Sequence, residues 1–360
     1  MMHQTGKREQ STPMDEHADI RTLVGVVAIG RNEGDRLKRC LRSAKDQTDR
    51  VVYVDSGSTD ESVAFAQSIG VEVVDLDTSI PFTAARARNE GIARLVEKWG
   101  DVQYVHVLDG DCEFQSGWIQ IAFDFIRANQ SAAVVCGRRR ERTPNASRYN
   151  MLCDLEWDTP IGEARSCGGD ALFLLKAFNA VGGYNPSVIA GEEPELCVRI
   201  RVEGYAVHRL DHEMTLHDAS MTKFSQYWKR AKRAGHAYAQ GADLHGAPPE
   251  RHCVKQTRSA IVWGLILPIL ALGLAWWTYG ISIGVYLVLV CIQTWRIRNG
   301  QLNHGRSKPH ATLLAVYIMI AKYAQLSGIL LYWYRKLMKK QAMLIEYKGA
   351  DQPSAGESNG

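Results

Sequence analysis

The sequence predicts an α/β fold: a mainly parallel central sheet with helices on both faces, followed by C-terminal helices suited to a membrane. Three observations carry this expectation. Short β-rich apolar runs alternate with segments of helical period through the N-terminal part of the chain, as in sheets built from crossover-connected parallel strands. Polar loops, "GRNEGD", "DSGSTD" and "DGDCEF", follow the apolar runs, at the strand ends where such sheets bind ligands. Residues 259–295 carry no charged side chain, a run well beyond the roughly 18 residues that mark a membrane helix.

The elements follow in order. "LVGVVAIG" (23–30) is a strand, and "GDRLKRCLRSAKDQ" a helix with Leu37, Leu41 and Ala44 on one face and Asp35 near its start. "RVVYVDSGSTDES" begins as a strand and stops at Asp55; "STDESVAFAQSIG" is a helix opened by Ser58 or Thr59 and closed by Gly70. "VEVVDL" is a strand, "FTAARARNEGIARLVEKWG" a helix and "VQYVHVL" a strand. Farther on, Pro194 suits a first helical position, and Leu196 and Ile200 recur at helical spacing after it. Over 222–240, Phe224, Tyr227, Trp228, Ala231 and Tyr238 share a helical face, while Lys223, Lys229, Arg230, Lys232 and Arg233 lie mostly elsewhere; such a helix reads as a membrane-surface element, with a soluble basic helix packed on the catalytic domain as the plain alternative. The run 259–295 is long enough for two short helices turning near Thr278–Gly280, with one long tilted helix or a buried soluble hairpin as alternatives, and 311–334 adds a second apolar run with one lysine. Basic residues flank all three helix boundaries, so each prefers the cytoplasmic side. A hairpin satisfies the first two. The third then requires 311–334 to re-enter or to lie along the interface.

At 360 residues with a net charge of +4, the chain can bury a sizeable core and is too weakly basic to imply nucleic-acid binding. Its eight cysteines show no C-x-x-C pair, which fits reduced thiols in a cytosolic compartment. The N-terminus shows no apolar signal-peptide region, and disorder is expected over 1–20 and 346–360. The expected organisation places a catalytic domain at 21–245 and a membrane-associated helical region at 246–345.

Asp109 and Asp111 stand at the end of a buried strand with Gly110 allowing a tight turn. Two close carboxylates repel and need compensation, which a hard divalent cation shared with substrate phosphates supplies. A solvated turn is the plain alternative. The loop after Asp55 suits a base or ribose with a nearby phosphate. Of Arg86 and Arg88, at most one points inward, because the two do not share a helix face.

With "VDSGSTD", "ARARNEG" and "LDGDCEF" in that order, roughly residues 22 to 240 resemble a membrane-associated bacterial family 2 glycosyltransferase of the GT-A fold. The family's V-D-D-G-S-T-D has Ser56 in place of its second acid, which leaves Asp55 as the carboxylate for the nucleotide base. The resemblance implies that Asp109, Gly110 and Arg88 contact the nucleotide-sugar, and that Asp111, Asp109 and His217, with His212 behind it, hold a divalent metal, Mn²⁺ or Mg²⁺. "SCGGDALFLLKAFNAVGGYNPSVIAGEEPELCVRIRVEGY" is similar to the family's acceptor-side segment, with Glu192-Glu193 where Glu-Asp is usual. One of the pair is then the catalytic base, and Glu193 is the choice. The implied activity is metal-dependent sugar transfer, with inversion, from a nucleotide-sugar donor to a lipid-linked or saccharide hydroxyl acceptor in envelope polysaccharide synthesis. The expected location is the cell inner membrane with the catalytic domain cytoplasmic, with no nucleic-acid partner. Rival readings are a polyprenyl-phosphate sugar synthase, a nucleotidyltransferase and a non-catalytic membrane scaffold.

Overall fold

The structure, a computed structural model, describes residues 20–339. The tails expected at 1–20 and 346–360 lie outside the described residues, apart from Ile20, as does 340–345 of the expected helical region. A short helix α1 (Ile20–Leu23) leads into β1 (Val24–Gly30), α2 (Asp35–Lys45), β2 (Val51–Asp55), α3 (Ser62–Ser68), β3 (Glu72–Asp75), α4 (Ala84–Lys98) and β4 (Tyr104–Asp109). Then come β5 (Cys112–Phe114), α5 (Trp118–Ala128), β6 (Ala132–Glu141), α6 (Arg148–Glu156), β7 (Gly162–Ala164), β8 (Ala171–Leu174), α7 (Leu175–Ala180), α8 (Glu192–Val202) and β9 (Ala206–His217). The C-terminal part is helical: α9 (Phe224–His245), α10 (Val254–Ile261), a π-helical stretch Val262–Ile266, α11 (Leu267–Gly273), α12 (Ile281–Asn303) and α13 (Lys308–Leu337).

One sheet of nine strands runs β3-β2-β1-β4-β8-β6-β9-β5, with β7 also on β9. Its first half is parallel, as the alternation of strands and helices required: β1 lies between β2 and β4, and β3 flanks β2. Register aligns Gly30 with Asp55 and Ile29 with Asp109, so the carboxyl ends of three strands meet at one edge. The second half is mixed. β8 runs antiparallel to both β4 and β6, β6 and β9 pair in parallel, and β5 and β7 are antiparallel to β9.

The core fills as the apolar spacing predicts, with Leu37, Leu41 and Ala44 of α2 fully buried. His106, a central residue of β4, is a core histidine: Trp118 Nε1 donates to its Nε2 at 2.9 Å, and burial pushes its pKa down to about 3.

Two local expectations change. α3 begins at Ser62 rather than at Ser58 or Thr59, and the Asp60 side chain accepts from the Ser62 amide. Ser58 and Thr59 are instead occupied with the loop after β1: Asn32 N–H donates to Ser58 Oγ, and Thr59 N–H donates to Asn32 Oδ1. The amphipathic helix runs to His245, and part of its apolar side is covered by protein, while Phe224 stays exposed. Tyr227 and Ala231 are buried with Leu152 and Leu155 of α6 and Leu314 and Tyr317 of α13.

α9 and α13 pack side by side and parallel. Tyr227 Oη donates to the Tyr317 carbonyl at 2.7 Å near one end, and Asp243 takes Lys336 Nζ at 2.6 Å and Tyr332 Oη at 2.6 Å near the other. Between them the backbones nearly touch: a Cβ on Gly235 would strike the Gln325 carbonyl, and one on Gly328 the Lys232 carbonyl. Among the described residues, three helices are long and apolar enough to cross a membrane, Val254–Gly273, Ile281–Asn303 and Lys308–Leu337. The first two form the expected hairpin, turning just before Gly280 (φ 83°), with Trp276 and Trp277 exposed at the tip.

Candidate active site

The sheet edge where β1, β2 and β4 end opens into a cavity of about 1890 Å³. Asp109, Gly110, Asp111, Arg88, Glu192, Glu193 and His217 all line it, although they come from four separate segments of the chain. The carboxylates that the sequence singles out therefore face one chamber.

Two groups of charges share the chamber. Arg88 is the hub of the first. It projects from α4, whose first turn is fixed by Thr83 Oγ1 accepting from Arg86 N–H. Arg88 Nη2 meets Asp109 Oδ1 at 2.7 Å, and Nη1 meets Glu192 Oε1 at 2.8 Å and Glu193 Oε1 at 2.9 Å. Burial works against the Arg88 charge, but Glu193, Asp109 and Glu192 more than offset it and keep the guanidinium protonated. Arg86 turns away to Glu90 and to the carbonyls of Asp77 and Ile80. Asn89 ties the two signature segments together: its Nδ2 donates to the Tyr184 carbonyl at 2.8 Å, and Tyr184 N–H donates back to Oδ1 at 3.0 Å.

Arg139 of β6 completes this group, reaching Asp170 Oδ1 at 2.7 Å and Asp109 Oδ2 at 3.3 Å. Asp170 is wholly buried, accepting also from Thr215 Oγ1 and from the Asp109 backbone N–H. Sequence reasoning missed Arg139 and Asp170. The only sign of Arg139 was the run "RRR" in a strand, where alternation turns 139 inward and sends 138 and 140 toward Asp154.

At Glu193 two influences compete. Burial and the neighbouring Glu192 favour the protonated acid, and Arg88 favours the carboxylate; together they push the pKa up to about 8. Pro194 falls at the third position of α8, still within the first turn, where its missing N–H has no intrahelical bond to lose.

The second group lies around His217, the last residue of β9. Asp111 Oδ2 stands 3.3 Å from His217 Nε2, and Glu141 Oε2 stands 3.5 Å from Nδ1. Burial, the largest influence, lowers the His217 pKa, favouring the neutral imidazole that serves as a metal ligand. Trp157 packs edge-on against the ring, with centroids 4.7 Å apart. Glu141 also accepts from Ala219 N–H, so it is anchored while it fixes the imidazole, as second-shell carboxylates do in metal sites. His212 is exposed on the preceding part of the strand and lies outside the chamber.

The donor set suits a divalent cation. Asp111, Cys112 and His217 bring ligand atoms within 4.8 Å of one another, as do Asp109, Cys112 and Asp170. Burial raises the Cys112 thiol far above its ordinary range, leaving a neutral sulfur that a hard cation has little use for. Asp109 and Asp170 are already engaged by arginines, which makes Asp111 and His217 the better-placed pair. Within the two groups just described, the carboxylates of Asp109, Asp111, Glu141, Asp170, Glu192 and Glu193 outnumber the guanidinium groups of Arg88 and Arg139, a local imbalance that a cation would reduce.

Asp55 occupies a different place from the one expected. It is 2% exposed and lies beneath the chamber wall. Its Oδ1 accepts from Tyr53 Oη at 2.7 Å, and Oδ2 accepts from the amides of Gly57 and Ser58 at 3.0 and 2.7 Å. The carboxylate staples the loop, and Ser56, Thr59 and Asp60 line the cavity instead.

Residues 26–169 match the model of glycosyl transferase family 2. A TPR repeat-containing protein of Synechococcus elongatus is 38% identical over 138 residues, 38% of this chain and 32% of the relative. An uncharacterized glycosyltransferase of Rickettsia conorii is 43% identical over 51 residues, 14% of this chain and 18% of the relative. The matches thus span well under two thirds of either relative's length. Among solved structures, a mannosyltransferase of Pyrobaculum calidifontis in complex with GDP-Man and Mn²⁺ superposes with a TM-score of 0.53 at 16% identity, over 88% of each chain. That last likeness is one of fold.

Proposed function

We propose, from the family 2 glycosyltransferase domain that this chain carries, that it moves a sugar from a nucleotide-sugar donor to a hydroxyl acceptor presented at a membrane, with inversion. One observation carries the reading: Asp109, Asp111 and Glu193 line a single cavity where parallel strands end. Glu193, its pKa raised to about 8, takes the acceptor proton as the hydroxyl attacks, a task that favours a base with a pKa near the working pH. Arg88 holds Glu193, Glu192 and Asp109 in one arrangement. Asp109 and Gly110 contact the nucleotide-sugar, and Asp55 acts on the base through the loop it staples. Asp111 and His217 hold Mn²⁺ or Mg²⁺, which supplies positive charge to the departing nucleoside diphosphate.

The catalytic unit is 21–245 and the membrane region 246–345. α9 carries Lys229, Arg230, Lys232, Arg233 and Asp243 along the stretch that packs on α13. Such a helix is costly to place in hydrocarbon, so α13 stays with the catalytic unit at the membrane face. The hairpin of α10, α11 and α12 is the inserted part, with both ends on the catalytic, cytoplasmic side of an inner membrane.

The test is the full chain in detergent with Mn²⁺ and a panel of sugar nucleotides and membrane extracts. Released nucleoside diphosphate supports the proposal. Pyrophosphate indicates nucleotidyl transfer, and no sugar-nucleotide binding indicates a scaffold; either result rejects it.

A further inference from the structure

The chamber does not end at the carboxylates. It continues between α9 and α13, where Lys229, Arg230, Arg233, Lys322 and Gln325 line it. One cavity thus sets carboxylates among arginines on the sheet side and a cluster of cationic side chains, with Glu156, on the helix side.

Lys322 is the feature that demands an explanation. It is the one charged residue of the apolar run 311–334. Its helix is fixed on two sides, by α9 and by the π-helical stretch, where a Cβ on Gly264 would approach the Lys322 carbonyl to 3.0 Å. Lys322 Nζ donates to Gln325 Oε1 at 3.4 Å, and among the described residues no carboxylate lies within ion-pair distance of it. A half-buried ammonium without a counter-charge is costly. Nearby, Arg230 is braced by Glu156 at 2.5 Å.

The missing counter-charge fits a phosphate. Ammonium and guanidinium groups around one space are what a phosphate or diphosphate ester requires. The sheet side mixes Asp109, Asp111, Glu192 and Glu193 with its arginines, whereas beside the helix-side cations the lining carboxylate is Glu156, so the helix side is the better place for that group. An apolar chain attached to the phosphate would leave along α13, whose Val316, Tyr323 and Leu330 are exposed.

We propose that the α9–α13 end of the cavity is a phosphate subsite for a lipid-phosphate acceptor, held chiefly by Lys322. This assignment rests on the glycosyl-transfer reading and names the acceptor class.

Binding can be measured without donor or metal, which separates this proposal from that reading. The full chain is placed in nanodiscs of phosphatidylcholine and titrated with farnesyl phosphate, with farnesol, and with inorganic phosphate. Lys322 modification by an amine-reactive reagent is followed by mass spectrometry. Farnesyl phosphate, and neither other probe, should protect Lys322. Lys322→Ala should weaken farnesyl phosphate at least about tenfold, the scale of a lost charge-assisted contact, and Lys322→Arg should keep most of it. Equal protection by farnesol, or unchanged affinity in Lys322→Ala, overturns the subsite. Protection by inorganic phosphate alone, or by phosphatidylglycerol added to the disc, assigns the site to free phosphate or bulk headgroups and overturns the acceptor assignment. If Lys322→Ala does not fold, wild-type protection still decides. Phosphate-dependent protection in a protein that releases no nucleoside diphosphate would keep the subsite and reject sugar transfer.

Discussion

Glu193 is held between a guanidinium and a second carboxylate in a buried setting, and two consequences follow at the residue scale. A base must be ionised to act, so turnover should rise with pH through about 8, the value to which burial and Glu192 push this carboxyl. Glu193→Gln should lose that limb and at least about a hundredfold in turnover, measured by nucleoside diphosphate release. The same shift bears on stability. A carboxyl with a folded pKa above its unfolded value contributes stability that is complete below the ordinary carboxyl range and is lost as pH rises through the folded value. The melting temperature of Glu193→Gln minus that of wild type should therefore grow between about pH 5 and about pH 9. A pH-independent difference would refute the assignment. Glu141 Oε2 lies 3.5 Å from His217 Nδ1, so it would orient the imidazole rather than hold a cation itself, and it is a positioning residue. Glu141→Gln should weaken Mn²⁺ binding by about ten- to a hundredfold, read by calorimetry, with the sugar-nucleotide base contact unchanged. Asp109, Asp111, Arg88, Glu193 and His217 were legible because each sits in a motif at a strand end or helix start. Arg139, Glu141 and Asp170 were not. Their roles depend on which strands pair, and β6 meets β9 across more than 60 intervening residues.

At the scale of elements, local chemistry explains both what was readable and what was not. The parallel half of the sheet follows from alternating apolar runs and helices. The antiparallel β8 and the paired β6 and β9 carry no such signal, since β6 ends in charged residues and β9 is polar along much of its length. α3 starts late because a hydroxyl suited to capping was taken by a loop distant in sequence. Amphipathicity in α9 was legible, but periodicity names a buried face without naming what covers it, and here that is α13 rather than lipid. The α9–α13 contact depends on two glycines that allow the backbones to approach. Gly235→Leu or Gly328→Leu should force the helices apart and cost about 1–3 kcal/mol, as overpacking does. Hydrogen exchange in both helices should accelerate in either variant while the β1–β4 strands stay protected. Unchanged exchange in α9 would argue against a tight contact.

At the scale of the whole molecule, the basic flanks posed a problem that the packing answers. Three apolar helices with cytoplasmic-type flanks at every boundary cannot all cross a bilayer. α13 runs beside charged α9 from Tyr317 to Lys336, about 28 Å at the rise of a helix. To insert α13 would drag that helix into hydrocarbon, where charges are expelled. The hairpin has no such escort: α12 has no buried residue, and Trp276, Trp277 and Tyr279 stand exposed at its turn, where interfacial aromatics anchor an inserted tip. Epitope tags placed after Gly305 and after Lys339, in sealed vesicles of known orientation, should therefore be cleaved by protease from the same side as the catalytic unit. A tag inserted between Trp277 and Thr278 should be shielded or reached only from the other side. Opposite protection of the tags after 305 and 339 would mean that α13 crosses the bilayer. The basic end of the cavity would then lie within the hydrocarbon layer rather than at its surface, and an acceptor headgroup could not reach Glu193 from the cytoplasmic face.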